Sequence, residues 1–153
     1  MDNYEALIAE LGNSTGIDGM QPDEDGAVQL LFDETLPVFI QPDRDRSYVS
    51  IYAVVGLVDE TVPGPLMLEL LSASLFGREA NGATFAVEET MGQIVLQHQE
   101  RLDGWTYQQF EQALHRFVEA AEAWRNRLTP GHDEHAGQLA AVEPQMSEHH
   151  LKP

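Results

Sequence analysis

The chain has 153 residues, 42% of them hydrophobic, no cysteine, and a formal net charge of −18 from 26 acids against eight bases. That length suits one domain with a real core, and the hydrophobic share argues against global disorder. Disulfide frameworks and thiolate chemistry are excluded, and so anionic a surface repels phosphate backbones and anionic lipids, which argues against nucleic-acid and membrane partners. The start MDNYEALIAEL is acidic and amphipathic, unlike a signal segment, and no apolar run approaches the roughly 18 to 20 residues that span a bilayer. The expected location is therefore the cytoplasm.

Asp2 is placed to cap a first helix, with Glu5 three residues on completing a capping box. Tyr4, Leu7, Ile8 and Leu11 form one apolar stripe, and Gly12 is the expected stop. Residues 13–26 are rich in Gly, Asn, Asp and Pro and read as a loop, anchored by Ile17 and Met20 and closed by an Asp25-Gly26 turn. Three strands follow. Residues 27–33 alternate Val28, Leu30 and Phe32 with Gln29, Leu31 and Asp33. Residues 36–41 set Leu36, Val38 and Ile40 against Pro37, Phe39 and Gln41, and Pro37 suits a sheet edge or a strand start. Residues 46–58 are the most β-branched, with Val49, Ile51, Ala53 and Val55 on one face. The short connections predict an antiparallel meander.

Pro63-Gly64-Pro65 breaks the chain and opens a central helix, LMLELLSASLF over residues 66–76. Leu66, Met67, Leu68, Leu70, Leu71, Ala73 and Leu75 cover more than half of its wheel, leaving only Glu69 and Ser72 as a polar strip. A helix apolar nearly all round must be buried on two sides. The chain's own sheet can cover one, and a second copy of the chain is expected to cover the other.

Asn81-Gly82 marks a turn, and residues 83–88 and 93–101 read as two more strands joined around Glu89 to Gly92. Thr106 and Gln109 form a second capping box. The helix it opens carries Tyr107, Phe110, Leu114, Phe117, Ala121, Trp124 and Leu128 on one stripe, with Gln112, Glu119, Glu122 and Arg125 opposite, and ends at Thr129-Pro130-Gly131. The predicted fold is α+β, in the order α-β-β-β-α-β-β-α, with helices packed on one twisted antiparallel sheet. Residues 1–128 make the domain and residues 129–153 a flexible, acidic, histidine-containing tail.

Catalytic signatures are missing: there is no glycine-rich phosphate loop, nucleophile elbow or His-Glu-x-x-His. His132, His135, His149 and His150 sit in the tail rather than on rigid elements, so no metal site is expected. Asp23, Glu24 and Asp25 lack the spacing of a calcium loop and read as a solvated acidic loop. His98 and His115 show no partner pattern. A binding protein without cofactor is expected, not an enzyme.

Several segments resemble the class I type III secretion chaperones, the Tir-chaperone family. They are Leu30-Leu31-Phe32-Asp33, Leu70-Leu71-Ser72-Ala73-Ser74-Leu75, Asn81-Gly82-Ala83-Thr84-Phe85-Ala86-Val87 leading into Gly92-Gln93-Ile94-Val95-Leu96, and the run from Phe117 to Trp124. The resemblance covers about residues 3 to 128, and the tail departs from it. It implies a homodimeric, non-catalytic chaperone of the bacterial cytoplasm. Such a chaperone binds the N-terminal segment of a virulence effector in extended form and delivers it to the secretion apparatus, whose ATPase is a further partner. On that basis Leu66, Met67, Leu70, Leu71, Ser74, Leu75 and Phe85 are expected at the dimer interface. The effector groove is expected between the first helix and the first strands, at Tyr4, Leu7, Ile8, Leu11, Val28, Leu30, Phe32, Val38 and Ile40. A protein-interaction or regulatory adaptor built on the same fold is the alternative.

Overall fold

In a computed structural model, which describes residues 2–16, 20–58 and 64–128, helix α1 runs Asn3–Thr15. Its capping box is formed in both directions. Asp2 Oδ1 accepts the Glu5 N–H at 2.8 Å, and Glu5 Oε2 accepts the Asp2 N–H at 3.4 Å. The helix passes through Gly12, the expected stop, and ends at Gly16, which adopts φ 71° and returns its N–H to the Gly12 carbonyl. An interior glycine costs only about 1 kcal/mol, and the left-handed cap falls to the next glycine along. Arg46, from the β2–β3 connection, pairs with Asp2 at 2.7 Å and Glu5 at 3.0 Å and lies over the Tyr4 ring.

The N–H that Asp2 accepts from Glu5, helped by the Arg46 guanidinium, holds its carboxyl below the usual 3.8. A depressed native value means that the cap stabilises the fold above the unfolded value and is lost as pH falls through the native one. Asp2→Ala is expected to cost about 1 kcal/mol at neutral pH, a fall in Tm of about 3–5 °C. As acid protonates the native carboxylate, below the usual 3.8, the difference from the parent chain should shrink in thermal melts. An equal deficit at neutral pH and in acid would remove the charge from the explanation.

The strands are β1 (Val28–Phe32), β2 (Leu36–Pro42), β3 (Tyr48–Leu57), β4 (Thr84–Glu88) and β5 (Gln93–Arg101). They form one antiparallel sheet in the order β1-β2-β3-β5-β4. The first three make the predicted meander. The chain then crosses over, so that nine-residue β5 lies beside ten-residue β3 and the five-residue β4 falls at the edge. Pro37 is not at an edge. It sits second in β2, opposite Leu31, and before Phe39, where the pairing with β3 begins. Its missing N–H therefore interrupts no ladder on the β3 side.

Helix α2 spans Gly64–Ser74, with a 3₁₀ turn at Leu75–Gly77, and α3 spans Tyr107–Leu128. The second capping box is present: the Thr106 N–H reaches Gln109 Oε1 at 2.9 Å and the Gln109 N–H reaches Thr106 Oγ1 at 3.3 Å. Phe110, Leu114, Phe117, Ala121 and Trp124 are buried as the stripe predicts. Each large side chain so buried contributes on the order of 1.5–3 kcal/mol. Together with α1 they cover one face of the sheet, where Val28, Leu30, Val38, Ile40, Val49, Ile51 and Ala53 complete a continuous core. Gly56, at an irregularity in the β3–β5 pairing, lets the end of α3 come close: a Cβ there would stand 3.2 Å from that of Leu128. Ile17, Pro63, Thr129-Pro130-Gly131 and the tail 129–153 lie outside the described residues.

Candidate functional site

Helix α2 turns Leu70 and Ala73 into the core, and Leu66 and Met67 are half-buried. Its remaining apolar residues face outward. Leu68 is 69% exposed, Leu71 67%, Leu75 50% and Phe76 92%. Val87 on neighbouring β4 is exposed too. Among the described residues the other exposed large hydrophobic side chains are Leu31 and Tyr48, so this end of the molecule holds most of them. A contiguous apolar patch of this kind marks an interaction surface, whereas scattered single residues do not.

The platform is held firmly. Ser74 Oγ donates to the Leu70 carbonyl and accepts the Phe85 N–H, both at 2.9 Å, tying α2 to edge strand β4. Phe85 meets the Trp124 ring edge-on at 4.8 Å, and Trp124 Nε1 donates to the Glu79 carbonyl at 3.0 Å. Arg127 of α3 pairs with Glu69 of α2 and lies over Trp124. Gly77, at φ 63°, packs against Gly82 so closely that a Cβ would meet its carbonyl carbon at 2.4 Å, and the Gly82 N–H bonds the Gly77 carbonyl at 2.9 Å. That contact fixes the turn on which Phe76 stands. Phe76 itself adopts φ 55°, a conformation costly for an aromatic residue and sustained only where the surroundings impose it.

The seven residues expected at the dimer interface thus divide. Leu71 and Leu75 are exposed, and Leu66 and Met67 partly so. Leu70 is interior, Ser74 spends its hydroxyl within the chain, and Phe85 packs on Trp124. Leu68, Phe76 and Val87 belong to the exposed patch and were not among those expected. Phe76 could have been suspected from an apolar run continuing right up to Gly77.

The expected groove is filled. Tyr4, Leu7, Ile8, Leu11, Val28, Leu30, Val38 and Ile40 are each 4% exposed or less, and only Phe32 is half-buried. They belong to the continuous core that α1 shares with α3 and the sheet, and do not form an open surface. The reason is the helix's length: 13 residues are marginal in water and stand only when docked. Burial of Tyr4 also raises its hydroxyl well above the ordinary value, and that hydroxyl donates to the Gly26 carbonyl at 2.5 Å.

On the sheet face away from the helices lie Gln29, Leu31, Phe39 and Tyr52, of which Gln29 and Leu31 are exposed, Tyr52 is half-buried and Phe39 is only 5% exposed. Phe39 and Tyr52 stack at 5.1 Å between ring centres, 13° from parallel, beside a cavity of about 270 Å³. A second cavity, of about 330 Å³, opens between β5 and α3 and is lined by polar groups, among them Asn81, His98, Glu100, Gln112 and Arg116. His98 has partners after all: Nε2 lies 2.6 Å from Glu100 Oε1 and Nδ1 3.2 Å from the Gly82 carbonyl. Among the described residues no cluster of three His, Asp or Glu could hold a metal, and no helix is long and apolar enough to cross a membrane. The tail histidines lie outside those residues.

An α+β domain with a rigidly mounted, uncovered helix face defines a binding protein that presents apolar surface to another polypeptide. The model of the Tir chaperone protein (CesT) family matches residues 6–125, and the chain belongs to that family. A chain of the ExsC–ExsE complex superposes with a TM-score of 0.72 at 25% identity, covering 85% of this chain and 98% of that one. A chain of the HopA1–SchA chaperone–effector complex gives 0.69 at 15% identity, over 81% and 94%. One from the complex of the Yersinia pestis type III secretion chaperone SycH with a stable fragment of YscM2 gives 0.63 at 18% identity, over 79% and 98%. The last two similarities speak for the fold.

Proposed function

We propose that the chain is a homodimeric, non-catalytic chaperone of the bacterial cytoplasm. It binds the N-terminal chaperone-binding segment of an effector, keeps that segment soluble and secretion-competent, and hands it to a type III apparatus. The observation that carries the dimer is the face made by Leu68, Leu71, Leu75 and Phe76. A second copy related by a twofold axis covers such a face with its own equivalent, which closes the assembly and leaves no sticky surface for further growth. Family membership carries the client reading, and the likeness to a chain of the ExsC–ExsE complex supports it.

An extended client buries a wide surface yet loses ordering entropy on binding, so it can be stripped off again without nucleotide chemistry in the chaperone. The apparatus, through its ATPase, supplies that work. With the seam between α1 and the sheet filled, the client lies on the outside of the dimer. The net charge of −18 keeps this apolar-bearing protein soluble.

The test is affinity capture from the native bacterium, followed by limited proteolysis of whatever binds. A protease-sensitive N-terminal segment that becomes protected only in the complex is the expected result. A partner that is equally resistant free and bound would instead favour an adaptor that holds folded proteins.

A further inference from the structure

We propose that the cavity on the outer face of the sheet receives one large apolar side chain of the extended client, with a neighbouring lysine or arginine held by Asp23. This rests on the reading that an extended client binds, and it specifies that client's chemistry. At about 270 Å³ the cavity lies at the small end of ligand pockets, sized for a side chain rather than a cofactor. Its floor is the Phe39–Tyr52 stack, and Gln21, Asp23, Ala27 and Gln29 make its rim. Gln29 lies opposite Phe39 in the β1–β2 register, and Phe39 opposite Tyr52 in the β2–β3 register, so these three share one row of the outer face.

Leu31, two residues beyond Gln29 on the same face of edge strand β1, is 59% exposed. Two residues of strand advance about 7 Å. The outer face therefore offers two apolar contacts at the spacing of alternate side chains in an extended peptide, which predicts an apolar-x-apolar element in the client.

The charge comes from the adjoining loop. Asp23 Oδ1 accepts the N–H groups of Asp25 and Ala27 at 2.9 and 2.8 Å, which fixes the carboxylate beside the cavity. Glu24 and Asp25 follow it, and among the described residues no arginine or lysine pairs with Asp23. Burial raises the Tyr52 hydroxyl above its ordinary value and the Asp23 charge adds to the rise, in keeping with a carboxylate close to the ring. A cation at this rim is favoured locally, and the overall charge of −18 steers a basic segment toward it.

Three synthetic 12-residue peptides titrated into the full-length, isotope-labelled chain test this by nuclear magnetic resonance. One carries Leu-Ser-Leu flanked by lysines, the second has the lysines replaced by glutamates, and the third has the leucines replaced by serines. The first should bind at least tenfold more tightly than the others, with shifts gathered on residues 21–31, Phe39 and Tyr52. Asp23→Asn keeps the Oδ1 acceptor that holds the loop and removes the charge, and should weaken binding about tenfold. Gln29→Trp, at an exposed position, should fill the cavity and abolish the shifts. Equal binding of the glutamate peptide, indifference to Asp23→Asn, or shifts centred on Leu71 and Phe76 would each overturn the proposal. A natural client captured in extended form but mapped away from this face would overturn the pocket and spare the chaperone reading. A client captured only as a folded domain would overturn both.

Discussion

Leu71→Glu should convert the protein from dimer to monomer in sedimentation-velocity experiments at micromolar concentration. Leu71 is 67% exposed in the single chain, so a glutamate there is solvated and leaves the monomer fold intact. In the proposed dimer the same carboxylate would be taken out of water, and twofold symmetry would bring its twin into the same interface. A penalty of about 4 kcal/mol corresponds to a dissociation constant roughly a thousandfold weaker. Phe76→Ser should act in the same direction by removing the most exposed apolar side chain of the patch. Unchanged circular dichroism with a lower sedimentation coefficient is the expected pair of observations. A sedimentation coefficient that stays at the parent value would remove α2 from the interface.

Ile8→Asp carries the other large effect, and it acts on folding. Ile8 is among the most buried residues of α1, packed where helix and sheet meet. Truncating such a side chain costs about 2–5 kcal/mol through lost burial and the cavity left behind. Placing an unpaired carboxylate there adds a desolvation cost of several kcal/mol more. The sum approaches the 5–15 kcal/mol that stabilises a typical domain. Loss of soluble expression and of near-ultraviolet dichroism is expected, with Ile8→Val costing about 1 kcal/mol as the conservative control. A soluble, folded Ile8→Asp dimer that fails only to retain its client would show that the seam between α1 and the sheet opens to receive it.

The two substitutions fall on apolar residues of similar character, and their opposite fates trace what could be read in advance. Each stripe was visible from spacing alone: Tyr4, Leu7, Ile8 and Leu11 on α1, and the near-complete apolar wheel of α2. So were both capping boxes, whose chemistry is local, and the five strands, whose alternation needs no knowledge of partners. Membership of the chaperone family also showed in short segments from Leu30 to Trp124, because local motifs survive as sequence. A composition with 26 acids argued against nucleic-acid and membrane partners, and the absence of cysteine excluded thiol chemistry.

Other features depended on elements far apart in the chain. Periodicity says that a side of a helix is apolar but not what covers it. The core took all of α1's stripe because α3 and the sheet's inner face together close over it. It took only Leu70 and Ala73 of α2, because the crossover puts β4 at the edge and leaves that helix with one wall rather than two. The left-handed Phe76, the Gly77–Gly82 contact and the His98–Glu100 pair likewise arise only when β4, β5 and the turn between α2 and β4 meet. Sequence alone determined the elements, the charge and the family. Tertiary packing decided which apolar faces are core and which are surface, because burial is a property of what lies opposite a residue and not of the residue itself.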